Sequence, residues 1–135
     1  MTGKSIGDSH RYSRPRMVDF QPERLRRSHQ EILSSRSERF PLSVISCWGV
    51  AKLVEYGRLE LDRPVLEWIV TAVARHDLEL LPLTPAIAVE STNLPDPFHR
   101  HPADRIIVAT ARIHQIPLLT EDSKILDYPH VLLVR

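Results

Sequence analysis

The stretch HPADRIIVATARIHQIPLLTEDSKIL, residues 101–126, decides the fold class. Residues 103–115 read as a helix. Ile106, Ile107, Ala109, Ala111 and Ile113 leave it little polar surface, so the spacing predicts a largely buried helix. PLLT, residues 117–120, is a short strand, and EDSKIL, residues 121–126, turns at once into another helix. A buried helix, an apolar strand and a second helix are the parts of a parallel sheet covered on both faces.

The same alternation runs outward from this unit. LELLPL, residues 78–83, reads as a strand, and Thr84 with Pro85 opens a short helix through Ala88. STNLPDPFHRHP, residues 91–102, is a loop rich in Pro and His. Residues 62–76 form a helix in which Val65, Leu66, Ile69, Val70 and Val73 recur at helical spacing. PLSVI, residues 41–45, reads as a buried strand, with Ser46 as a candidate cap for the helix that follows. Trp48, Val50, Leu53 and Val54 are expected to face the core, and Gly57 to end that helix at its C′ position. Gly49 stands inside the helix, where glycine costs about 1 kcal/mol relative to alanine. VLLV, residues 131–134, reads as a last strand, giving about four strands in an ordinary sheet.

Upstream the signal weakens. Residues 21–35, QPERLRRSHQEILSS, carry a thin apolar stripe of Leu25, Ile32 and Leu33, with Pro22 suited to a first helical turn. Residues 1–20 show no apolar period and are rich in Ser, Gly and Arg. The expected organisation is a disordered or degenerate segment over 1–20 and one domain over 21–135.

With 135 residues, 42% hydrophobic and 26% charged, the chain has the composition of a single globular domain. No apolar run approaches the roughly 20 residues of a membrane span, and no apolar core marks a secretory signal near residue 1. Cys47 is the one cysteine, which excludes an internal disulfide and a multi-cysteine zinc site. A cytoplasmic protein is the expectation. The net charge of +1 hides an asymmetry: residues 1–41 carry nine Lys and Arg against five Asp and Glu, and the remainder nine against twelve. A basic arm of this kind suits a phosphate backbone or simply solvates a tail.

Ligands of open parallel sheets bind beyond the carboxyl ends of the strands. Asp122 falls two residues after PLLT, and Asp104 in the first turn of the buried helix. Carboxylates gathered there suit Mg²⁺ or Mn²⁺, hard cations that prefer oxygen and can activate water against a phosphodiester. Position alone also allows a plainer role, since aspartate in a first turn caps the helix and complements its dipole. His99 and His101 lack a third ligand and are expected to be solvated. Cys47, Trp48 and Trp68 read as core residues. No nucleophile elbow and no phosphate-cradling glycine loop occurs among four glycines.

Four stretches, in order and spacing, resemble a PIN domain of the kind found in VapC-like toxins of toxin–antitoxin pairs. They are QPERL with the helix after it; residues 42–68; residues 78–95 followed by HPADRIIVATAR; and PLLTEDSKILDYPHVLLV. The resemblance implies a three-layer α/β/α sandwich with a parallel central sheet. It implies a Mg²⁺- or Mn²⁺-dependent endoribonuclease, an RNA substrate, an antitoxin partner and a possible homodimer, with no membrane association. Asp104 and Asp122 match two of the family's clustered acids and so become the catalytic, metal-holding residues. Arg105 and Thr120 match positions that flank them, Thr120 as a support for a ligating carboxylate.

The chain departs from the family pattern twice. Gly49, in SCWGVA, stands where the family carries a helical Glu, and Glu55 lies too far along the helix to replace it. No apolar strand ending in Asp opens the chain, so the first strand is expected to be missing. Asp8 stands at a suitable distance but has no strand to hold it, and Asp19 is judged too close to the helix at residue 22. These departures support an alternative: a catalytically impaired relative that binds antitoxin, or a truncated gene product.

Overall fold

The structure, a computed structural model, describes residues 16–19 and 39–134. The expected helix over 21–35 and Asp8 lie outside the described residues. Four strands form one parallel sheet: β1 (Met17–Val18), β2 (Phe40–Ser43), β3 (Leu78–Leu81) and β4 (Leu118–Leu119), in the order β3-β2-β1-β4. Five helices are described: α1 (Ile45–Glu55), α2 (Val65–Arg75), α3 (Pro85–Thr92), α4 (Pro102–His114) and α5 (Ser123–Leu126).

The expectation of a missing first strand is wrong. β1 is present and central, with Val18 paired to Leu42 on one side and to Leu119 on the other. Met17 N donates to Pro117 O at 2.8 Å and Asp19 N to Leu119 O at 2.9 Å. Met17 and Val18, expected within a degenerate N-terminal segment, therefore belong to the sheet, and Asp19 follows directly, tied to it by its N–H. A strand of two residues is too short to display a period of two, so only its neighbours reveal it.

The sheet divides two apolar cores. Met17 and Leu118 face one side, packed with Ile87, Val108 and Ile125; Val18 and Leu119 face the other, with Phe40, Leu42 and Leu78. Adjacent residues on a strand point to opposite faces, so each two-residue strand feeds both cores. Full burial of Met17 and Val18 contributes about 1.5–3 kcal/mol each. α4 buries Ala103, Ile107, Val108, Ala109, Thr110 and Ala111, as its composition predicted, and packs closely on α3. The architecture is the expected α/β sandwich.

Several local expectations shift. Trp48, Leu66, Val70 and Ile113 are exposed rather than core, at 42–71%, because among the described residues nothing packs over the helix faces that carry them. α1 starts at Ile45, so Ser46 lies inside its first turn and Ser43 Oγ accepts from Ile45 N at 3.3 Å. Thr84 caps α3 through Ile87 N at 3.2 Å, but the helix runs on past Ala88 to Thr92. Gly57 takes the left-handed conformation expected of a C′ residue, with φ 71°. VLLV makes a single parallel bridge, Leu118 to Leu133, beside β4. Among the described residues, no helix is long and apolar enough to cross a membrane.

Candidate active site

Parallel pairing sets the carboxyl ends of β1 and β4 side by side, because Met17 is in register with Leu118 and Val18 with Leu119. The residues just beyond those ends are Asp19 and Thr120, each 6% exposed. Thr120 Oγ1 donates to Asp19 Oδ2 at 2.7 Å and accepts from Asp122 N at 3.0 Å. One hydroxyl thus joins both acidic strand ends. Asp122 is buried and caps α5, its Oδ1 accepting from Lys124 N at 2.9 Å. The capping role weighed for it is present, and it leaves the carboxylate at the sheet edge.

Asp104 enters from the first turn of α4, with its side chain 14% exposed. Burial pushes its carboxyl above the usual carboxylate range, and the charge of Asp122 pushes the same way. His101, His99 and Lys124 pull in the opposite sense. The structure therefore brings the two expected residues, Asp104 and Asp122, within electrostatic reach of each other.

It also adds a third. Asp19, set aside on sequence spacing, lines the same cleft as Asp104, a space of about 280 Å³. The usable signal was the tripeptide MVD itself, two apolar residues followed by an acid, in a stretch where flanking arginines masked any period. Gly49 lines this cleft too, and a Cβ built there would meet nothing within 4 Å beyond its chain neighbours and its own helix backbone. The position at which the family pattern calls for Glu is thus open space facing Asp19 and Asp104.

The histidines are not merely solvated. His99 Nε2 is buried 3.1 Å from Asp104 Oδ2, out of hydrogen-bond alignment, and His101 Nδ1 lies 4.0 Å from the same oxygen. His99 Nδ1 accepts from His101 N at 3.3 Å, which leaves the neutral ring's proton on Nε2. Arg105 has a structural task. It donates to Ser91 O at 2.8 Å, His99 O at 3.1 Å and Phe98 O at 3.4 Å, fastening the loop before α4. Cys47 is half-buried, and burial pushes its thiol up, away from the reactive thiolate.

The donor chemistry fits a hard divalent ion: neighbouring carboxylates whose mutual repulsion a cation relieves. The cage is open. Among the described residues, no group of three or more His, Cys, Asp or Glu side chains stands together closely enough to hold an ion. An ion bound here would have few protein oxygens and would keep water in its shell.

A parallel α/β sandwich with carboxylates gathered at the carboxyl ends of two adjacent strands, here β1 and β4, is a defined class of protein. The chain belongs to the PIN domain family, whose family model matches residues 18–131. That match begins inside β1. The chain is similar to Ribonuclease VapC22 of Mycobacterium tuberculosis, at 33% identity over 110 residues, covering 82% of each protein. Its fold is similar to that of a toxin–antitoxin complex from Klebsiella pneumoniae, with TM-score 0.62, 18% identity and coverage of 88% of this chain and 96% of that one. It is also similar to that of VapBC2 from Rickettsia felis bound to a DNA fragment from their promoter. There the TM-score is 0.57 at 13% identity, over 79% of this chain and 82% of the other.

Proposed function

We propose that this chain is a VapC-like ribonuclease toxin of a toxin–antitoxin pair, acting in the cytoplasm and hydrolysing RNA phosphodiesters with Mg²⁺ or Mn²⁺. The observation that carries the reading is the convergence of Asp19, Asp104 and Asp122 on one sheet edge, with Thr120 bonded to the first and third. The relation to Ribonuclease VapC22 supports the reaction, and the fold shared with toxin–antitoxin complexes supports an antitoxin partner.

Asp104 and Asp122 would hold the ion, with Asp19 beside them at the same sheet edge. A bound divalent ion supplies an activated water and neutralises charge that develops on the phosphate. The chain's own part is placement. Thr120 fixes the Asp19 carboxylate, the α5 N-terminus fixes Asp122, and Arg105 fixes the loop that sets Asp104 against His99. Side chains so held lose little further entropy when substrate arrives.

Gly49 and the open cage favour a second reading, in which the chain binds antitoxin without cleaving RNA. One experiment separates them: cleavage of RNA by the purified chain with Mg²⁺ or Mn²⁺, beside Asp19→Asn, Asp104→Asn and Asp122→Asn. Metal-dependent cleavage lost in all three variants supports the enzyme. No cleavage by a folded chain that still binds antitoxin supports the binding module.

A further inference from the structure

One feature of the cleft is not used by the carboxylates. Trp48, Lys52 and Tyr56 follow one another at intervals of four along α1 and its C-cap, so they form a single stripe. All three line the cleft that Asp19, Asp104 and Gly49 line, and Arg58 adds a second cation at its rim. Trp48 is 47% exposed and Tyr56 64%, so neither ring is spent on the core. Lys52 Nζ lies 5.7 Å from the Trp48 ring centre and 4.7 Å from that of Tyr56. Its ion pair with Glu55 is exposed, the kind worth little and readily exchanged for another anion. Arg58 makes no ion pair with any described residue.

The alternation of ring, cation and ring has a chemical counterpart. Single-stranded RNA alternates base, phosphate and base, and its unstacked bases offer flat faces to aromatic side chains. Eight residues of helix span about 12 Å, room for two splayed bases with a phosphate between them. A duplex keeps its bases stacked inside and could offer only its backbone. Gly49 sits within the stripe with no side chain to wall it off from Asp104.

We propose that Trp48 and Tyr56 stack two bases of single-stranded RNA, with Lys52 and Arg58 holding the adjoining phosphates, so that the strand enters the carboxylate edge across Gly49. This rests on the ribonuclease reading for its purpose, but it is tested without cleavage.

The experiment measures binding of a labelled ten-nucleotide single strand, and of the same sequence as a duplex, to the full chain in chelator. The single strand binds more tightly than the duplex. Trp48→Ala/Tyr56→Ala weakens single-strand binding by roughly 10- to 100-fold, the loss expected of one or two stacked bases, and leaves duplex binding nearly unchanged. Trp48→Phe/Tyr56→Phe keeps most of the affinity, which excludes a folding defect. Single-strand RNA quenches the fluorescence of Trp68→Phe, whose remaining indole is Trp48, and not that of Trp48→Phe. Arg58→Ala lowers the salt slope by about 0.7. Equal binding of single strand and duplex would overturn the proposal, as would full affinity in the double alanine variant. So would loss of antitoxin binding in that variant with RNA binding intact, which would give the stripe to the antitoxin. Ring-dependent binding by a chain that cleaves nothing with Mg²⁺ would uphold the stripe and remove the nuclease reading alone.

Discussion

Thr120 Oγ1 donates a 2.7 Å hydrogen bond to Asp19 Oδ2, joining the ends of β1 and β4 across 101 positions of the chain. The same oxygen accepts from Asp122 N, so it bridges two acidic residues that would otherwise be oriented separately. Thr120→Val preserves the shape and removes both bonds. It should lower RNA cleavage by about 10–100-fold, the usual effect of losing a partner of a metal-binding group. Stability should fall by about 1–2 kcal/mol. Cleavage rates and urea unfolding would check this, with Thr120→Ser expected to restore both.

Asp104 makes stability depend on pH in the metal-free protein. Its folded pKa is raised above the ordinary 3.8, first by burial and then by Asp122. The folded state therefore holds this proton more tightly than the unfolded state. The associated stabilisation is complete below 3.8 and is lost as pH rises through the folded value. Asp104→Asn should melt at a higher temperature than the native chain at pH 7 in chelator, and the difference should shrink as pH falls toward 4. A constant difference across that range would contradict the assignment.

Gly49 tolerates a side chain. Since a Cβ at this position would meet nothing within 4 Å beyond its chain neighbours and its own helix backbone, Gly49→Ala should stabilise the protein by about 0.5–1 kcal/mol through helix propensity alone. Gly49→Glu adds a carboxylate to the cleft of Asp19 and Asp104. Mn²⁺ titration by calorimetry should show several-fold tighter binding, because divalent affinity follows ligand count and charge. Unchanged Mn²⁺ affinity would mean that this cleft is not where the ion binds.

Arg105 is expected to matter for the loop and not for chemistry. Its guanidinium holds the carbonyls of Ser91, Phe98 and His99. Arg105→Ala should cost about 1.5–3 kcal/mol, the range for hydrogen bonds to a charged group. Cleavage per folded molecule should fall less than in Asp104→Asn. Chemical denaturation combined with active-site titration would separate the two effects.

Much of the molecule was legible in its residues. Helix α4 announces itself through Ile107, Val108 and Ala111, because a helix whose middle turns are apolar must bury them in the interior. Thr84 and Gly57 mark helix ends through local chemistry that needs no partner. Asp104 and Asp122 could be placed at one edge because a parallel sheet collects its strand ends there. What no local pattern could supply was β1. Met17–Val18 is a strand only because β2 and β4 pair with it from both sides, and two residues carry no period of their own. With β1 unseen, Asp19 looked misplaced, although tertiary pairing sets it beside Thr120. The exposure of Trp48, read as a core residue, has the same origin. Sequence periodicity says which residues share a helix face, and only the packing of layers decides whether that face meets a core or the solvent.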